Sequence, residues 1–241
     1  VDSGWIKIPP GVTIHGRYGS PWHTWYAYGY FHVIPNNCGY AITNSPVQPI
    51  QNMMDAATVF VDLLRAGDDE AGLVTYAYLA STDQILTRNL EQVKVKLQSF
   101  VPHGATAEPD AMEAALDELI DSGRADGYGQ RIMILLTDGN ANRLRGSGYD
   151  DSSTRSYNFM GESVTTKIHP TIGAAMEQQT IRARQGGVRI YCVTFGSSVD
   201  TEVHEQIARN TQGAYYHAPN HEDLTSVFVD IFRRLPPLIT M

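Results

Sequence analysis

The sequence lacks a basic region and a long apolar run. Its 241 residues include 18 Lys and Arg against 26 Asp and Glu, a formal net charge of -8. Nucleic acids and anionic lipid surfaces are bound through a basic face, so this composition argues against both as main partners. No stretch approaches the roughly 18 consecutive apolar residues that indicate a transmembrane helix, and no membrane span is predicted.

Cysteine is also scarce. Only Cys38 and Cys192 are present, which excludes a scaffold held by several disulfides. Cys192 lies within the apolar stretch VRIYCVTFG and is predicted to be a buried free thiol, while a Cys38–Cys192 bridge stays open. No signal peptide is visible at Val1, and a start at Val rather than Met favours a mature or trimmed exported protein over a cytosolic one.

The first 48 residues differ from the rest because aromatic residues are concentrated there among Gly and Pro. The alternation from Trp25 to Val33 predicts a strand or hairpin rather than a helix. Such a segment packs against its own domain or contacts a partner, and we consider Trp22 and Trp25 as candidate contact residues. The expected organisation is therefore an aromatic, Pro-containing arm or insertion at 1–48 and one globular unit at 49–241.

From Pro49 onward, amphipathic helical patterns alternate with apolar strand patterns. The strand QRIMILLTDG is apolar almost throughout, as in parallel strands that are buried on both faces. Alternating helices and buried strands predict an α/β fold, a doubly wound and mostly parallel sheet with helices on both faces. The polar stretch 140–171 separates two of these elements and is expected to be a functional or disordered loop.

Two loops at predicted strand ends carry oxygen ligands. Asp138 follows the buried strand in IMILLTDGNAN, and Thr106 precedes a helix in PHGATAEPD. Ligands of open α/β sheets bind at the carboxyl ends of the strands. A hard cation such as Mg²⁺ takes oxygen ligands, often with only one or two carboxylates. Gly104 and Gly139 would let the two backbones approach closely.

The motifs GLVTYA, PHGAT, AMEAALDEL, IMILLTDGNAN, VRIYCVTFG and IARNTQGAYYHAPNHEDLTSVFVDI follow one another as in von Willebrand factor A (vWA) domains. The resemblance covers roughly Pro49 to Leu235. It implies a doubly wound sheet with the metal site called MIDAS, in which Thr106 is the second-loop threonine and Asp138 the third-loop aspartate. The ending IFRRLPPLIT also resembles the pilus-associated, tight-adherence branch of the family.

The first metal loop of the family, Asp-x-Ser-x-Ser, is not found before the helix that begins near Pro49. In one account, GYAITNSPVQ is a degenerate form, with Thr43 at the Asp position, Ser45 at the first Ser and Val47 at the second. In the other account, which we favour slightly, the central strand and its loop precede Val1 or belong to another chain. Without that strand two edges of the sheet would be unpaired, and a strand from a neighbouring copy or a separate segment would fill the gap by β-augmentation.

Other residue types give weaker signals. The histidines show no metal-ligand spacing, and His204 and His217 are expected at the surface or half-buried. Neither a Gly-x-Ser-x-Gly nucleophile elbow nor a Gly-rich phosphate loop is present. No paired acid, base or nucleophile is recognisable, so the chain is not expected to be an enzyme.

Taken together, the residues and the resemblance favour a non-enzymatic adhesion or assembly module of the bacterial cell surface or envelope. It would bind protein partners through a partial or degenerate MIDAS that takes Mg²⁺ or Mn²⁺. Candidate metal ligands are Asp138, Thr106 and Ser45, and candidate contact residues are Gly139, Asn140, Trp22 and Trp25. Two alternatives remain: a structural subunit of a surface filament or pilus with a vestigial metal site, and an intracellular accessory subunit of a chelatase- or ATPase-like system.

Overall fold

The computed structural model describes the chain in segments. Backbone strands are described at 5–8, 12–16, 23–26, 29–32 and 41–44, and helix from 49. Side chains are described from residue 52, in the ranges 52–98, 105–122, 129–145, 147–149, 153–196, 199–220 and 223–235. The candidate residues Trp22 and Ser45, as well as Cys38, lie outside the described residues, as does the side chain of Trp25.

The described part contains fourteen strands and six α-helices, numbered here in chain order. The strands are β1 Trp5–Ile8, β2 Val12–Gly16, β3 His23–Tyr26, β4 Gly29–His32, β5 Ala41–Asn44, β6 Ala71–Tyr76, β7 Ala80–Thr87, β8 Arg131–Thr137, β9 Arg143–Leu144, β10 Ser147–Gly148, β11 Arg155–Phe159, β12 Glu162–Thr166, β13 Val188–Phe195 and β14 Tyr215–Ala218. The helices are α1 Pro49–Leu63, α2 Leu90–Leu97, α3 Glu108–Leu116, α4 Pro170–Gln185, α5 Thr201–Asn210 and α6 Leu224–Arg234, and a π-helical turn at Asp117–Asp121 extends α3.

The centre of the fold is a parallel sheet in the order β14-β13-β8. Alternate side chains of its strands enter two separate cores, as a strand buried on both faces requires. On β8, Met133 and Leu135 join the core formed with α3, α4 and α5, whereas Ile134 and Leu136 face the core formed with α1 and α6. The chain is therefore an α/β protein with a doubly wound, mostly parallel sheet and helices on both faces.

Strands β6 and β7 form an antiparallel pair beside this sheet. Within the described residues, β8 has a strand partner only on its β13 side and β6 only on its β7 side. The two remaining edges are linked by a side chain, because the Tyr76 hydroxyl donates to the Leu136 carbonyl at 2.7 Å. We call the gap between these edges the β6–β8 slot. It is the open position expected of a doubly wound sheet without its central strand.

The aromatic arm contributes two small antiparallel sheets. One pairs β1 with β4, and the other has the order β3-β2-β5. Strands β3 and β4 cover part of the predicted stretch from Trp25 to Val33, but they pair with different partners and do not form a hairpin with each other. The division of the chain at residue 48 stays a prediction.

The polar stretch 140–171, expected to be a functional or disordered loop, has secondary structure of its own. It contains the β9–β10 pair and the β11–β12 hairpin. Phe159 and Glu162 are opposite each other, so Met160 and Gly161 form a two-residue turn, and their φ angles of 53° and 88° are both positive. Positive φ at both turn positions suits the right-handed twist of a hairpin. Burial of Phe159 and Val164 anchors the hairpin on the core.

None of the helices among the described residues is long and apolar enough to cross a membrane. Cys192 is a free, fully buried thiol on β13, as its apolar surroundings predicted. Burial, reinforced by the negative charge of Glu108, raises the pKa of this thiol well above its ordinary value.

Candidate functional site

The third predicted metal loop begins where β8 ends. Asp138 directly follows the strand, and its side chain is exposed at the carboxyl edge of the sheet. The turn after it is fixed by Thr137, whose hydroxyl donates to the Gly139 carbonyl at 3.0 Å and accepts from the Gly139 amide at 3.4 Å. The Asp138 carboxylate is thus presented to solvent from a rigid strand end.

The Thr106 loop lies directly beside this turn. The Thr106 amide donates to Asn142 Oδ1 at 2.9 Å, and the Asn142 amide donates to the Thr106 carbonyl at 3.1 Å. A Cβ atom on Gly139 would lie 3.5 Å from Thr106 Oγ1. The structure therefore brings together Thr106, Gly139 and the residue next to Gly139, Asp138, although they are more than 30 positions apart in the chain.

Asn140 connects the same turn to the amino end of α5. Its side-chain oxygen accepts a hydrogen bond from the Asp200 amide at 2.6 Å. Asp200 stands at the N-cap position of α5, but its carboxylate makes no capping bond to that helix. Its Oδ2 instead accepts from the Thr166 hydroxyl and the Lys167 amide, both at 2.6 Å, and from the Ile168 amide at 3.2 Å.

A buried ion pair lies beneath these loops. His204 Nε2 is 2.8 Å from Glu108 Oε1, with both side chains fully buried, and His204 Nδ1 is 2.6 Å from the Asp200 carbonyl. Burial alone lowers the pKa of His204, but attraction and hydrogen bonding to Glu108 outweigh burial and raise the pKa above its ordinary value. The prediction that His204 is a surface or half-buried residue is therefore wrong, while His217 is exposed.

The rim of the site includes residues that the sequence analysis did not select. Tyr78 and Leu79, in the turn between β6 and β7, expose 50% and 64% of their surface. The Arg143 guanidinium lies over the Tyr78 ring at 4.9 Å. This turn is tied to the Thr106 loop, since the Ala107 amide donates to the Ala77 carbonyl at 3.0 Å. The sequence could have indicated this rim, because two adjacent large side chains, Tyr78 and Leu79, lie in a tight hairpin turn where they become exposed.

The residues at this edge meet some, but not all, of the requirements of a site for a hard divalent cation. Asp138 offers an exposed carboxylate and Thr106 a hydroxyl, which are oxygen ligands of the kind that Mg²⁺ prefers. Among the described residues no group of three or more His, Cys, Asp or Glu side chains is arranged to hold a metal. The described edge thus offers two candidate oxygen ligands, which by themselves do not make a complete cation site.

A comparison with protein-family models identifies the family of the chain. The model of the von Willebrand factor type A domain matches residues 42–230, and the chain belongs to this family. The match begins at Ile42 and therefore includes the segment with Thr43, Ser45 and Val47. No curated protein matches the chain.

Solved structures show the same fold at low sequence identity. The von Willebrand factor type A protein from Catenulispora acidiphila has a TM-score of 0.57 and 16% identity over 76% of this chain and 37% of that one. The vWF domain of the type V pili tip protein Mfa5 from Porphyromonas gingivalis has a TM-score of 0.56 and 12% identity over 76% of this chain and 87% of that one. Proximal thread matrix protein 1 from the mussel byssus, with a zinc-occupied MIDAS motif, has a TM-score of 0.53 and 18% identity over 76% of this chain and 42% of that one. The match thus spans less than half of the first and the third of these chains.

Proposed function

We propose that this vWA domain is a non-enzymatic adhesion or assembly module that binds a protein partner at the carboxyl edge of its sheet. Domains of this family mediate protein–protein interactions. The observation that carries the proposal is the joining of the Thr106 and Asp138 loops by the two Thr106–Asn142 hydrogen bonds. These bonds hold the loop that carries the Thr106 hydroxyl against the loop that carries the exposed Asp138 carboxylate, and a binding site needs such fixed positions.

The residues of this edge would have different roles in binding. Asp138 and Thr106 would hold Mg²⁺ or Mn²⁺, and a bound cation would supply a Lewis-acidic position for an oxygen of the partner. Gly139, which has no side chain, leaves the Thr106 hydroxyl accessible from the turn. Asn140 would act indirectly, because its side-chain oxygen is already bonded to the Asp200 amide.

The rim next to these ligands suits a protein surface. Tyr78 and Leu79 provide exposed apolar area, and Arg143 adds a positive charge stacked on an aromatic ring. Aromatic residues and Arg are enriched in protein interfaces. The pilus-tip relative supports a role on the bacterial surface or envelope, and we place the protein there.

A site-specific photo-crosslinker tests this proposal in the organism that encodes the chain. We would introduce it at Leu79, which is 64% exposed on the rim of the site, and as a control at Val95, which is 69% exposed on α2. The proposal predicts that a surface or envelope protein is captured from position 79 but not from position 95. Equal capture from both positions, or none, would contradict it.

The identity of the captured protein separates the alternatives. A second copy of this chain would indicate a structural filament subunit in which the metal ligands are vestigial. A cytosolic nucleotide-hydrolysing partner would indicate an accessory subunit of a chelatase-like system. Either result would replace the adhesion role while leaving the family assignment intact.

A further inference from the structure

Arg143, on the rim of the site, has a guanidinium whose donors find no acceptor among the described residues. The guanidinium lies over the Tyr78 ring at 4.9 Å, but within the described part of the chain it donates no hydrogen bond and forms no ion pair. Arg145, two residues further along, differs because its Nη2 is 2.9 Å from Glu113 Oε2. A guanidinium carries five N–H donors in a planar fork, and those of Arg143 are available for a ligand.

The position of this guanidinium is fixed by its surroundings. Arg143 and Gly148 are opposite each other in the β9–β10 pair, and a Cβ atom on Gly148 would overlap Arg143 Nη1. The guanidinium thus occupies the space that a side chain at position 148 would need. The backbone before Arg143 is held as well, because Asn142 makes both hydrogen bonds to Thr106. An arginine that is already held in place loses less conformational entropy when it binds a ligand.

The neighbours of Arg143 indicate which kind of ligand fits. A guanidinium binds carboxylate and phosphate oxygens through two parallel hydrogen bonds. Tyr78 and Leu79 expose 50% and 64% of their surface beside it, and exposed aromatic and apolar area of this kind suits a protein segment. The formal net charge of -8 disfavours the phosphates of nucleic acids and lipids. An acidic side chain with an apolar residue next to it meets these conditions.

We propose that Arg143 recognises an Asp or Glu side chain of the protein partner, and that an apolar residue next to this acid packs on Leu79. The carboxylate would accept two hydrogen bonds from the guanidinium, in a geometry that arginine offers and lysine does not. The contact uses neither Asp138 nor Thr106, so it operates without a bound cation. It rests on the proposed function and deepens it, because it names the chemistry of the partner that the rim selects.

Selection from a phage-displayed library of short random peptides tests the proposal without the natural partner. The whole chain is immobilised, and the buffer contains EDTA so that no divalent cation takes part. The proposal predicts enrichment of peptides that carry Asp or Glu beside an apolar residue. Enrichment of peptides without an acidic residue, or no enrichment at all, would overturn it.

Substitutions then locate the contact. The dissociation constant of the most enriched peptide is measured with the wild type, Arg143→Ala and Arg143→Lys. Arg143→Ala should weaken binding about 10- to 100-fold, as expected for the loss of hydrogen bonds between charged groups. Arg143→Lys should also weaken binding, because an ammonium group cannot make the two parallel bonds. Equal binding by the wild type and Arg143→Ala would overturn the proposal.

Arg145→Ala is the matched control for charge. It removes the same charge from the same hairpin, and the Arg145 side chain is 72% exposed. The dissociation constant of the peptide should stay nearly unchanged, since an exposed charge that makes no direct contact contributes little. Equal losses in Arg143→Ala and Arg145→Ala would show that only the overall charge matters and would overturn the proposal.

Gly148→Ala tests the position of the guanidinium rather than its charge. The added methyl group would displace Arg143 Nη1, which is the end of a flexible side chain, and Gly148 is exposed on β10. The variant should therefore unfold at the temperature of the wild type but bind the peptide more weakly. Unchanged peptide binding in this variant would contradict recognition by a guanidinium in a fixed position.

Replacement of the acidic residue of the peptide by its amide closes the experiment. This change should weaken binding to the wild type about as much as Arg143→Ala does, and it should cause little further loss with Arg143→Ala, because both changes remove the same contact. Additive losses would overturn the proposal.

The further inference and the proposed function fail in different measurements. Absence of photo-crosslinking from position 79 would contradict the proposed function. If a partner is captured there with equal yield by the wild type and Arg143→Ala, the acidic contact is contradicted while the proposed function stands.

Discussion

His204 Nε2 on α5 lies 2.8 Å from Glu108 Oε1 on the first turn of α3, and neither side chain is exposed to solvent. Glu108 is two residues from Thr106, and the His204 imidazole also contacts the Asp200 carbonyl. The Asp200 amide in turn is bonded to Asn140, two residues after Asp138. A buried ion pair thus holds together the loops that form the candidate site.

Removing one partner of this pair should be far more costly than removing both. His204→Leu would leave the Glu108 carboxylate buried without its cation, and loss of one partner of a buried pair costs about 3–5 kcal/mol of unfolding free energy. The double variant with Glu108→Met and His204→Leu should lose clearly less. Urea unfolding of the wild type, both single variants and the double variant measures the coupling, and additive losses would show that the pair is not a unit.

Stability should depend on pH through His204. Its pKa is raised in the folded protein above the value of about 6.5 in unfolded chains. The contribution of the charged form is therefore fully present below pH 6.5 and is lost as the pH rises through the folded pKa. The difference in unfolding free energy between the wild type and His204→Asn should shrink over that range. A difference that stays constant would contradict a charged His204.

Asp200 should stabilise the connection between β12 and α4 rather than cap α5. Its carboxylate accepts from the Lys167 and Ile168 amides, and hydrogen bonds to charged groups contribute about 1.5–3 kcal/mol each. Asp200→Ala should accelerate hydrogen exchange at these two amides and lower the unfolding free energy by roughly 3 kcal/mol or more, because at least two such bonds are lost. Asp223→Ala is a matched control, since Asp223 stands at the N-cap of α6 without a capping bond; an equal loss in both variants would argue against this role.

Replacement of three glycines by alanine should lower the stability of the protein by amounts that differ in a predictable order. A Cβ on Gly213 would overlap the Ile190 carbonyl oxygen, which is backbone and cannot move aside. A Cβ on Gly161 would meet open space, but the φ of 88° strains any residue with a side chain. A Cβ on Gly139 would make only an ordinary contact, and the φ of Gly139 is outside the left-handed region. We expect a severe loss of stability for Gly213→Ala, a loss of about 1–2 kcal/mol for Gly161→Ala, and little change for Gly139→Ala. Thermal unfolding ranks the three, and a mild effect at Gly213 would contradict the close approach of the two backbones.

The elements of the core were predictable because their periodicity is strong. Apolar residues at helical spacing predicted α1, and the continuous apolar runs predicted β8 and β13, with Gly187 ending the intervening helix α4 at a φ of 67°. Loops at the ends of such strands could be proposed as a site because parallel strands place their carboxyl ends at one edge.

Other features depend on contacts that local sequence does not reveal. His204 is buried because Glu108, 96 positions earlier, meets it in the core. The β11–β12 hairpin was missed because its strands carry polar residues on the exposed face, and the Met160–Gly161 turn lacks the usual Asn-Gly or Asp-Gly signal. The pairing of β5 with β2 rather than β6 could not be foreseen, since a strand of four residues fits several partners.

The most direct test of the account is calorimetric titration of Mg²⁺ and Mn²⁺ into the metal-stripped chain. Two variants should accompany it: Asp138→Ala, and Asp68→Ala as a control that removes the same charge from the exposed turn before β6. The account predicts binding in the wild type and in Asp68→Ala, and its loss in Asp138→Ala. Absence of binding in all three, or equal binding in all three, would contradict a metal site at the Asp138 edge.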